Sequence, residues 1–326
     1  MLNTHGLGGE GFRPHQALGA GAEFDAIRAL MARWGDLVVD IGDDAAVLPT
    51  MTAGVRVVST DACIEDVHFR RAWITPREIG VRAAAAALSD LAAMGAEAEC
   101  LLVAFVVPPS WRELLGEVAD GIGDVVRRAG ARIVGGNLST GRTFGITCTV
   151  IGRAVRPVSR AGAQVGDLVL VTGTLGGPGA ALAAFDEGQM PDSWSRERFA
   201  RPVPRLREGV ALAEAGVSAM LDVSDGLAAD AQHLGAASGV GLRLDPARIP
   251  CGPGITSEQA LVSGEEYELL ATIPPHAWPS LAALWAVRCD TPLTVIGEVV
   301  DTAGGESSAG SSSASRHGFD HFSTGR

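Results

Sequence analysis

The chain has 326 residues, of which 47% are hydrophobic and 20% charged, so it is long enough for one large domain or two ordinary ones and is not intrinsically disordered. Its net charge of −12 argues against a broad nucleic-acid-binding surface, which needs basic patches. All 26 basic residues are arginine, and the absence of lysine excludes Walker A nucleotidases, protein kinases and Schiff-base enzymes.

Targeting and redox expectations follow from features that the sequence lacks. No apolar run approaches the length that spans a bilayer. Residues 1–20, which we expect to form a flexible tail, contain no basic segment followed by an apolar core, so we expect no signal peptide. The five cysteines are scattered without a CxxC pair, which argues against a zinc site and a disulfide framework. We therefore expect a cytoplasmic protein that does not enter membranes.

Two short apolar segments in the first half, Val38–Ile41 and Val55–Ser59, are typical of β-strands. Asp43 and Asp44 follow the first segment, and Asp61 follows the second. Carboxylates at strand ends form the oxygen-rich site that Mg²⁺ prefers, and Mg²⁺ in turn implies phosphates. Aspartate is also a common turn residue, so each of the three has an ordinary explanation when taken alone. As a set they predict a metal site.

A helix is predicted to begin at Thr75, because Pro76 suits the first helical position and Glu78 completes a capping box with the threonine. The helix should end at Gly95. Its interior is nearly all alanine, with Asp90 as the exception. An aspartate inside a buried helix needs a partner. In a chain without lysine that partner is arginine, backbone or a metal, and we favour a metal.

The middle of the chain contains a glycine pair, Gly135-Gly136, followed by Asn137. A strand is predicted at Ala131–Val134, and the glycines after it would allow the backbone to approach a ligand closely, although an ordinary glycine turn is the alternative. His68 lies seven residues after Asp61, in the segment that follows the predicted strand Val55–Ser59. A lone histidine in an extended segment is more often a structural residue than a ligand. Further predicted elements of the first half are a helix at Glu23–Trp34, strands at Cys100–Val107 and Phe144–Ile151, and an amphipathic helix at Trp111–Ala129.

In the second half, the strand Leu168–Thr172 runs into the glycine-rich segment 173–179 and then a helix, which is a generic anion cradle. The strand Ala219–Val223 leads into Ser224 and Asp225 at the start of another helix. Asp225 is either a ligand or simply the cap of that helix. Later segments of note are an arginine pair in a stiff proline frame (201–205), three glutamates around the single tyrosine (265–268), a flexible Ser/Gly insert (302–316) and an aromatic end (318–322).

The whole pattern resembles the thiamine-monophosphate kinase family, whose superfamily includes aminoimidazole ribonucleotide synthetase and selenophosphate synthetase. The resemblance covers nearly the whole chain, and its motifs occur in the right order and spacing. They read IGDDAAV, STD followed by VHF, LSDLAAMGA, SRAGAQVGDLVLVTGTLG, RPVPR, DVSDGLAAD, SGEEYELL and GFDHF. The RPVPR and GFDHF motifs point to the thiamine-phosphate branch.

The resemblance implies a two-domain, synthetase-like fold of the α/β (α+β) class. The N-terminal domain (residues 21–153) would bind ATP and metal ions, and its sheet would form a barrel-like interface in a homodimer. The C-terminal α/β domain (residues 154–322) would pack against it. The implied reaction is direct, in-line transfer of the γ-phosphoryl group of ATP to thiamine monophosphate with several Mg²⁺ ions, which suits a chain without lysine.

The resemblance also implies site residues. Implied metal ligands are Asp43, Asp44, Asp61, Asp90 and Asp225. Implied catalytic residues are Asp61, Asp225 and Arg160. Implied ATP-binding residues are Gly135, Gly136, Asn137, Ser224, Asp225 and Arg160. Implied binders of the acceptor are His68, Glu266, Phe319 and Phe322, the phenylalanines contacting the thiamine rings.

The chain departs from the family pattern at four single positions, and the Ser/Gly insert replaces the region just before the C-terminus. These changes fall at implied metal and acceptor positions. Asn137 replaces an aspartate, which keeps an oxygen ligand but removes a charge and should weaken Mg²⁺ binding. Asp66 replaces glycine, Ala87 replaces asparagine, and Glu266 replaces aspartate. Two alternatives to the kinase therefore remain: a relative that uses ATP to activate an amide or carboxylate oxygen in ligase-like chemistry, and a non-catalytic nucleotide-binding dimer.

Overall fold

A computed structural model describes residues 22–39 and 53–301, and contacts divide the chain into two units. Unit 1 comprises Met1–Leu91 and Ala98–Val155, and unit 2 comprises Ala92–Glu97 and Arg156–Arg326. Both units contain helices and strands, as the predicted α/β (α+β) class requires. Within the described ranges, no helix combines the length and the apolar character needed to cross a membrane.

The first sheet has four strands in the order β1-β4-β2-β3, with β1 at one edge. Its strands are β1 (Val55–Ile64), β2 (Glu97–Val106), β3 (Arg132–Ser139) and β4 (Gly145–Ala154). The accompanying helices are α1 (Ala22–Trp34), α2 (Pro76–Ala93) and α3 (Leu115–Ala129). β1 pairs antiparallel with β4, and β2 pairs parallel with β3.

The start of α2 confirms the predicted capping box. The backbone N–H of Thr75 donates to the Glu78 carboxylate at 2.9 Å, and the backbone N–H of Glu78 donates to Thr75 Oγ1 at 3.3 Å. Farther along, α2 and α3 approach so closely that only glycine fits at the crossing. A Cβ atom on Gly80 would lie 2.0 Å from the carbonyl oxygen of Val118, and one on Gly121 would lie 1.9 Å from that of Arg77.

Two sequence-based boundaries in this sheet are wrong. β1 does not end at Ser59 but continues to Ile64, because β4 supplies pairing partners along the whole length; Asp61 therefore lies inside the strand, opposite Cys148. The strand predicted at Ala131–Val134 likewise does not stop before the glycine pair, since β3 runs on to Ser139. A Cβ atom on Gly136 would lie 1.9 Å from the carbonyl oxygen of Val103 on β2, so strand packing itself requires this glycine.

Unit 2 contains a five-stranded sheet in the order β6-β8-β5-β9-β7. Its strands are β5 (Leu168–Thr172), β6 (Ala219–Asp222), β7 (Gly241–Leu244), β8 (Leu269–Ile273) and β9 (Leu293–Val300). Its helices are α4 (Gly177–Asp186), α5 (Ser193–Ala200), α6 (Leu206–Glu214), α7 (Leu227–Ser238), α8 (Ser257–Val262) and α9 (Trp278–Arg288).

Both faces of this sheet are covered, because β5 sends alternate side chains into two different cores. Val169 and Val171 join a cluster that includes Leu234 of α7, whereas Leu170 joins a cluster that includes Leu212 of α6 and Trp285 of α9. A central strand buried on both faces reads as a continuous apolar run, which explains why β5 has the predicted bounds.

Strand directions bring several loops to one edge of this sheet. β5 and β6 are both antiparallel to β8, so they point the same way, and β9 is antiparallel to β5. The residues after β5 and β6 therefore lie beside those before β8 and β9. We call this edge, formed by the loops at Gly173, Ser224, Glu268 and Pro292, the carboxyl edge of unit 2.

Candidate functional site

The loop that carries Asp225 lies at the carboxyl edge, between β6 and α7. Asp230, in the first turn of α7, accepts hydrogen bonds from the backbone N–H groups of Ser224 at 3.0 Å and of Asp225 at 3.1 Å. Asp230 is only 4% exposed. The buried Asp230 carboxylate therefore fixes the backbone of the loop and with it the position of the Asp225 side chain.

Asp225, Asp230 and His233 form a cluster whose potential ligand atoms all lie within 4.8 Å of one another. Burial raises the pKa of Asp230 to about 7, an effect that the charge of Asp225 reinforces and that hydrogen bonds from the loop partly oppose. A divalent cation would relieve this accumulation of carboxylates, and their oxygens are ligands that Mg²⁺ accepts. His233 was not among the predicted site residues, although its place three residues after Asp230 puts both on one helical face.

A strained segment crosses this loop just before β8. The backbone N–H of Glu265 donates to the carbonyl oxygen of Ser224 at 2.7 Å, and that of Tyr267 donates to the carbonyl oxygen of Val223 at 2.9 Å. Glu265 and Tyr267 have backbone φ angles of 58° and 53°, which residues other than glycine rarely adopt. Backbone strain of this kind persists where the surroundings over-determine it, and it is concentrated at functional sites.

Glu266 points into the protein between these strained residues and is 2% exposed. One of its oxygens, Oε1, accepts hydrogen bonds from the backbone N–H of Gly176 and from Ser263 Oγ, both at 2.5 Å. The other lies 3.7 Å from Arg198. Glu266 thus ties the segment before β8 to the glycine-rich loop after β5. Its role in binding the acceptor stays a prediction.

Burial raises the pKa of Glu266 from 4.5 to about 7, against the opposing effects of Ser263 and Arg198. Because the pKa is raised in the folded state, the protonated Glu266 carboxyl contributes its full stability below about pH 4.5, and this contribution is lost as the pH rises through about 7. In the variant Glu266→Gln, the glutamine side chain is uncharged at every pH. We therefore expect the wild type to lose stability relative to this variant, by on the order of 1 to 3 kcal/mol, between about pH 5 and pH 8.

Urea unfolding at several pH values measures this difference. Glu187→Gln, a change to an exposed glutamate just after α4, is the matched control and should leave the pH profile unaltered. Parallel profiles for the wild type and Glu266→Gln would show that Glu266 is ionised in the folded protein throughout this range.

Glu268 anchors the carboxyl edge through a buried network. Arg205 meets it with two hydrogen bonds of 2.8 and 2.6 Å, Arg198 donates to it at 2.7 Å, and Thr172 Oγ1 donates at 2.7 Å. The Glu268 side chain is fully buried. Burial alone would raise its pKa, but the bonds and charge of the two arginines outweigh this and hold the pKa below its ordinary value. Arg205, the second arginine of the proline-containing segment 201–205, therefore stabilises the carboxyl edge through Glu268.

In unit 1, two predicted metal ligands lie on different elements, Asp61 on β1 and Asp90 on α2. Ser59 and Asp61 are two residues apart in the strand and so point the same way. Ser59 Oγ donates to the Asp90 carboxylate on α2 at 2.5 Å. Asp61 Oδ1 accepts the backbone N–H of Ala62 at 2.7 Å. The partner that Asp90 needs in its alanine-rich helix thus includes a hydroxyl group.

Other predicted site residues are more dispersed. His68 Nδ1 accepts the backbone N–H of Ile64 at 3.1 Å, which is a structural contact. Asn137 is exposed on β3. The carbonyl oxygen of Arg160 accepts from Ser238 Oγ at 3.1 Å, at the last residue of α7. Asp225 precedes α7, and a helix of this length spans about 18 Å, so within unit 2 Arg160 and Asp225 lie at opposite ends of α7.

Four predicted site residues fall outside the part of the chain that the structure describes: Asp43, Asp44, Phe319 and Phe322. Their assignments as metal ligands and acceptor-binding residues stay predictions.

The family models for AIR synthase related protein match both halves of the chain, the N-terminal domain at residues 42–154 and the C-terminal domain at residues 164–309. A thiamine-monophosphate kinase of Mycobacterium tuberculosis is 38% identical over 239 residues, which make up 72% of this chain and 71% of the relative. The chain belongs to the thiamine-monophosphate kinase family. The resemblance inferred from its motifs is confirmed.

Solved structures of thiamine-monophosphate kinases share the fold. The crystal structure of the Stenotrophomonas maltophilia K279a enzyme is 31% identical, with a TM-score of 0.77, over 87% of this chain and 95% of that chain. The structure of AaThiL complexed with AMPPCP and TMP is 30% identical, with a TM-score of 0.69, over 80% of this chain and 86% of that chain. These likenesses confirm the predicted fold class, and the thiamine-monophosphate kinase family to which the chain belongs is one of phosphotransferases.

Proposed function

We propose that this chain transfers the γ-phosphoryl group of ATP to the phosphate of thiamine monophosphate, giving thiamine diphosphate and ADP. The observation that carries the proposal is membership of the thiamine-monophosphate kinase family. It is supported by AaThiL complexed with AMPPCP, an ATP analogue, and TMP. The loop motifs of this chain also keep the acidic residues that such chemistry needs in a protein without lysine.

The donor set fits Mg²⁺, because carboxylate oxygens dominate it. We infer that Asp225 would hold an ion in unit 2, and that Asp61 and Asp90, with Asp43 and Asp44, would be the ligands in unit 1. When bound, Mg²⁺ supplies the positive charge that neutralises the phosphates during transfer. Asp230 keeps the Asp225 carboxylate in place through its two backbone hydrogen bonds.

The remaining chemistry makes small demands on side chains. The acceptor phosphate is already an anionic nucleophile, so no general base has to remove a proton. Positioning and charge neutralisation then account for catalysis, as is usual in phosphoryl transfer. The rigid strand ends and pinned loops of the carboxyl edge suit such positioning.

We further propose that the protein acts as a cytoplasmic homodimer whose interface includes the outer face of β1. β1 is an edge strand of the described sheet. Val58 and Ile64, on the face opposite Ser59 and Asp61, are 61% and 38% exposed. Apolar side chains exposed along a sheet edge favour association with another strand.

The deciding experiment incubates purified protein with ATP, Mg²⁺ and thiamine monophosphate and measures ADP and thiamine diphosphate together. We expect the two products in equal amounts. ADP formation without thiamine diphosphate would instead indicate another acceptor, such as an amide or carboxylate oxygen. ATP binding without any turnover would indicate a non-catalytic nucleotide-binding protein.

A further inference from the structure

The segment 263–267, just before β8, lies between two loops of the carboxyl edge and bonds to both. Its backbone donates hydrogen bonds to the loop that carries Asp225. The approach is close, because a Cβ atom added to Gly264 would lie 2.8 Å from the carbonyl oxygen of Ser224. Two of its side chains bond instead to the glycine-rich segment 173–179. We call residues 263–267 the linking segment.

The side chains of the linking segment hold the start of α4. The backbone N–H of Gly179 donates to Ser263 Oγ at 2.9 Å, and Ser263 Oγ in turn donates to Glu266 Oε1 at 2.5 Å. The same oxygen of Glu266 accepts the backbone N–H of Gly176. The sequence predicted an anion cradle at this turn, but the chain itself takes up two of its N–H groups. These bonds satisfy donors that a helix start otherwise leaves unpaired, and they fix α4 to the linking segment.

Glu266 makes these contacts without needing a charge. Its Oε1 accepts both hydrogen bonds, whereas Oε2 is buried without a hydrogen-bond partner among the described residues. Burial raises the pKa of the side chain to about 7, so near neutral pH much of it is protonated. A protonated carboxyl group still offers its carbonyl oxygen as an acceptor. The side chain is 2% exposed, which leaves almost no surface for direct contact with a substrate.

The buried Glu266 side chain anchors a strained stretch of backbone. The residues on either side of it, Glu265 and Tyr267, both have φ angles in the left-handed region, which costs free energy. In this conformation their backbone N–H groups donate to the carbonyl oxygens of Ser224 and Val223. A strained conformation persists where its surroundings hold it, and the anchored side chain lies between the two strained residues.

The Ser224 peptide groups are held from two directions. The N–H of Ser224 donates to Asp230 on α7, the helix that follows the loop, and its carbonyl oxygen accepts from Glu265 of the linking segment. Without the linking segment, only Asp230 among these contacts would hold the loop. A displacement of about 1 Å in a group that positions the reaction can cost about 100-fold in rate. The linking segment is therefore placed to affect Asp225 without touching a substrate.

We propose that Glu266, together with Ser263, is a positioning residue for phosphoryl transfer: it fixes the linking segment to α4, and the backbone of the linking segment then fixes the loop of Asp225. The inference rests on the proposed function, in which Asp225 would bind the metal ion. It gives Glu266 an action through a neighbouring loop, in place of the contact with the acceptor that the family resemblance implies. Ser263 was not among the predicted site residues.

The test compares the kinetics of Glu266→Ala and Glu266→Gln. Glutamine keeps an acceptor oxygen in place of Oε1 and replaces only the oxygen that has no hydrogen-bond partner, whereas alanine removes both. We expect Glu266→Ala to lower kcat by about 10- to 100-fold and to raise the Mg²⁺ concentration that gives half the maximal rate, with the KM for thiamine monophosphate within about twofold of the wild type. Glu266→Gln should keep at least about a third of the wild-type kcat, because both hydrogen bonds remain. A smaller fraction of folded protein would lower kcat but would leave the Mg²⁺ dependence unchanged.

Ser263→Ala keeps the test valid if Glu266→Ala fails to fold. It removes one hydroxyl group from the same network and leaves the carboxyl group in place. It should lower kcat by about 2- to 10-fold, which corresponds to one hydrogen bond, and shift the Mg²⁺ dependence in the same direction. Glu258→Ala, which removes an exposed carboxylate from the first turn of α8, is the matched control and should behave as the wild type.

Hydrogen–deuterium exchange followed by mass spectrometry measures the linking segment without any turnover. The amides of Glu265 and Tyr267 are hydrogen-bonded to the Asp225 loop, so their exchange reports how well the segment is held. We expect faster exchange in Glu266→Ala and Ser263→Ala, and exchange as in the wild type in Glu266→Gln and Glu258→Ala.

The outcomes separate this inference from the proposed function. Unchanged exchange of the linking segment in both Glu266→Ala and Ser263→Ala would overturn the inference, whatever the activity of the wild type. A raised KM for thiamine monophosphate in Glu266→Gln and Glu266→Ala alike would also overturn it, because Glu266 would then bind the acceptor through its charge. If the wild type makes no thiamine diphosphate yet the segment exchanges faster in the two alanine variants, the proposed function fails and the coupling of Glu266 to the Asp225 loop stands.

Discussion

Glu268→Gln is expected to lower the free energy of unfolding of unit 2 by about 3 to 5 kcal/mol, because removing one partner of a buried ion pair leaves the other charge uncompensated. Here two guanidinium groups, those of Arg198 and Arg205, lose their shared carboxylate, whose own side chain is fully buried. Thr172 also loses a charged acceptor. Few single substitutions outside a hydrophobic core cost this much.

Urea unfolding combined with hydrogen exchange of the β8 amides measures this loss within unit 2 itself. The matched control is Glu214→Gln, which removes an ion pair with Arg288 at the surface, where both side chains are about half exposed. Such a pair contributes less than about 1 kcal/mol. If the two variants prove equally stable, the network around Glu268 does not hold the carboxyl edge together.

Asp225→Ala is expected to reduce thiamine diphosphate formation by at least about 100-fold while the protein remains folded. Loss of a single group that stabilises developing charge costs about this much in other enzymes, and Asp225 is a proposed ligand of the metal ion that would neutralise the phosphates. The backbone of the loop should not collapse, because Asp230 holds it through the N–H groups of residues 224 and 225 rather than through the Asp225 side chain.

The readout is the transfer rate as a function of Mg²⁺ concentration, together with the unfolding midpoint. Asp186→Ala, which removes an exposed carboxylate at the end of α4, controls for the change in net charge and should keep the wild-type rate. Unimpaired transfer by Asp225→Ala would mean that the metal cluster has been placed on the wrong residues.

Local sequence signals predicted those elements whose causes are local. The strand Leu168–Thr172 has the predicted bounds, because a strand buried on both faces is an unbroken apolar run. The start of α2 could be predicted from the sequence, because a capping box depends only on Thr75 and Glu78, which are three residues apart.

The errors arose where a distant part of the chain decides the outcome. Gly136 looked like part of a turn, yet it lies within β3 because the backbone of Val103 on the neighbouring strand leaves no room for a Cβ atom. Asp61 lies inside β1 because β4 continues the pairing past it.

The buried support of the candidate site was equally invisible in the sequence. Glu266 and Glu268 flank the only tyrosine, and nothing in that segment itself indicates that their side chains are buried. Their burial depends on Arg198 and Arg205, which precede them by more than sixty residues. No local pattern predicts such a pairing, and a single sequence gives no means of finding it.

The division of the chain has a consequence for how the protein is made. Residues 92–97 belong to unit 2, where Ala92 and Ala93 enter its core and the carbonyl oxygen of Met94 accepts from the backbone N–H of Val158. Unit 2 is therefore not a continuous stretch of sequence. During synthesis these six residues leave the ribosome before the rest of unit 2 and cannot pack until residues 156 onward have been made. Bringing the two parts together closes the loop of residues 98–155, which adds an entropic cost that a contiguous domain would not have. A fragment that begins at residue 156 would lack part of its own core. A fragment in which residues 92–97 are joined directly to residue 156 would contain all of it.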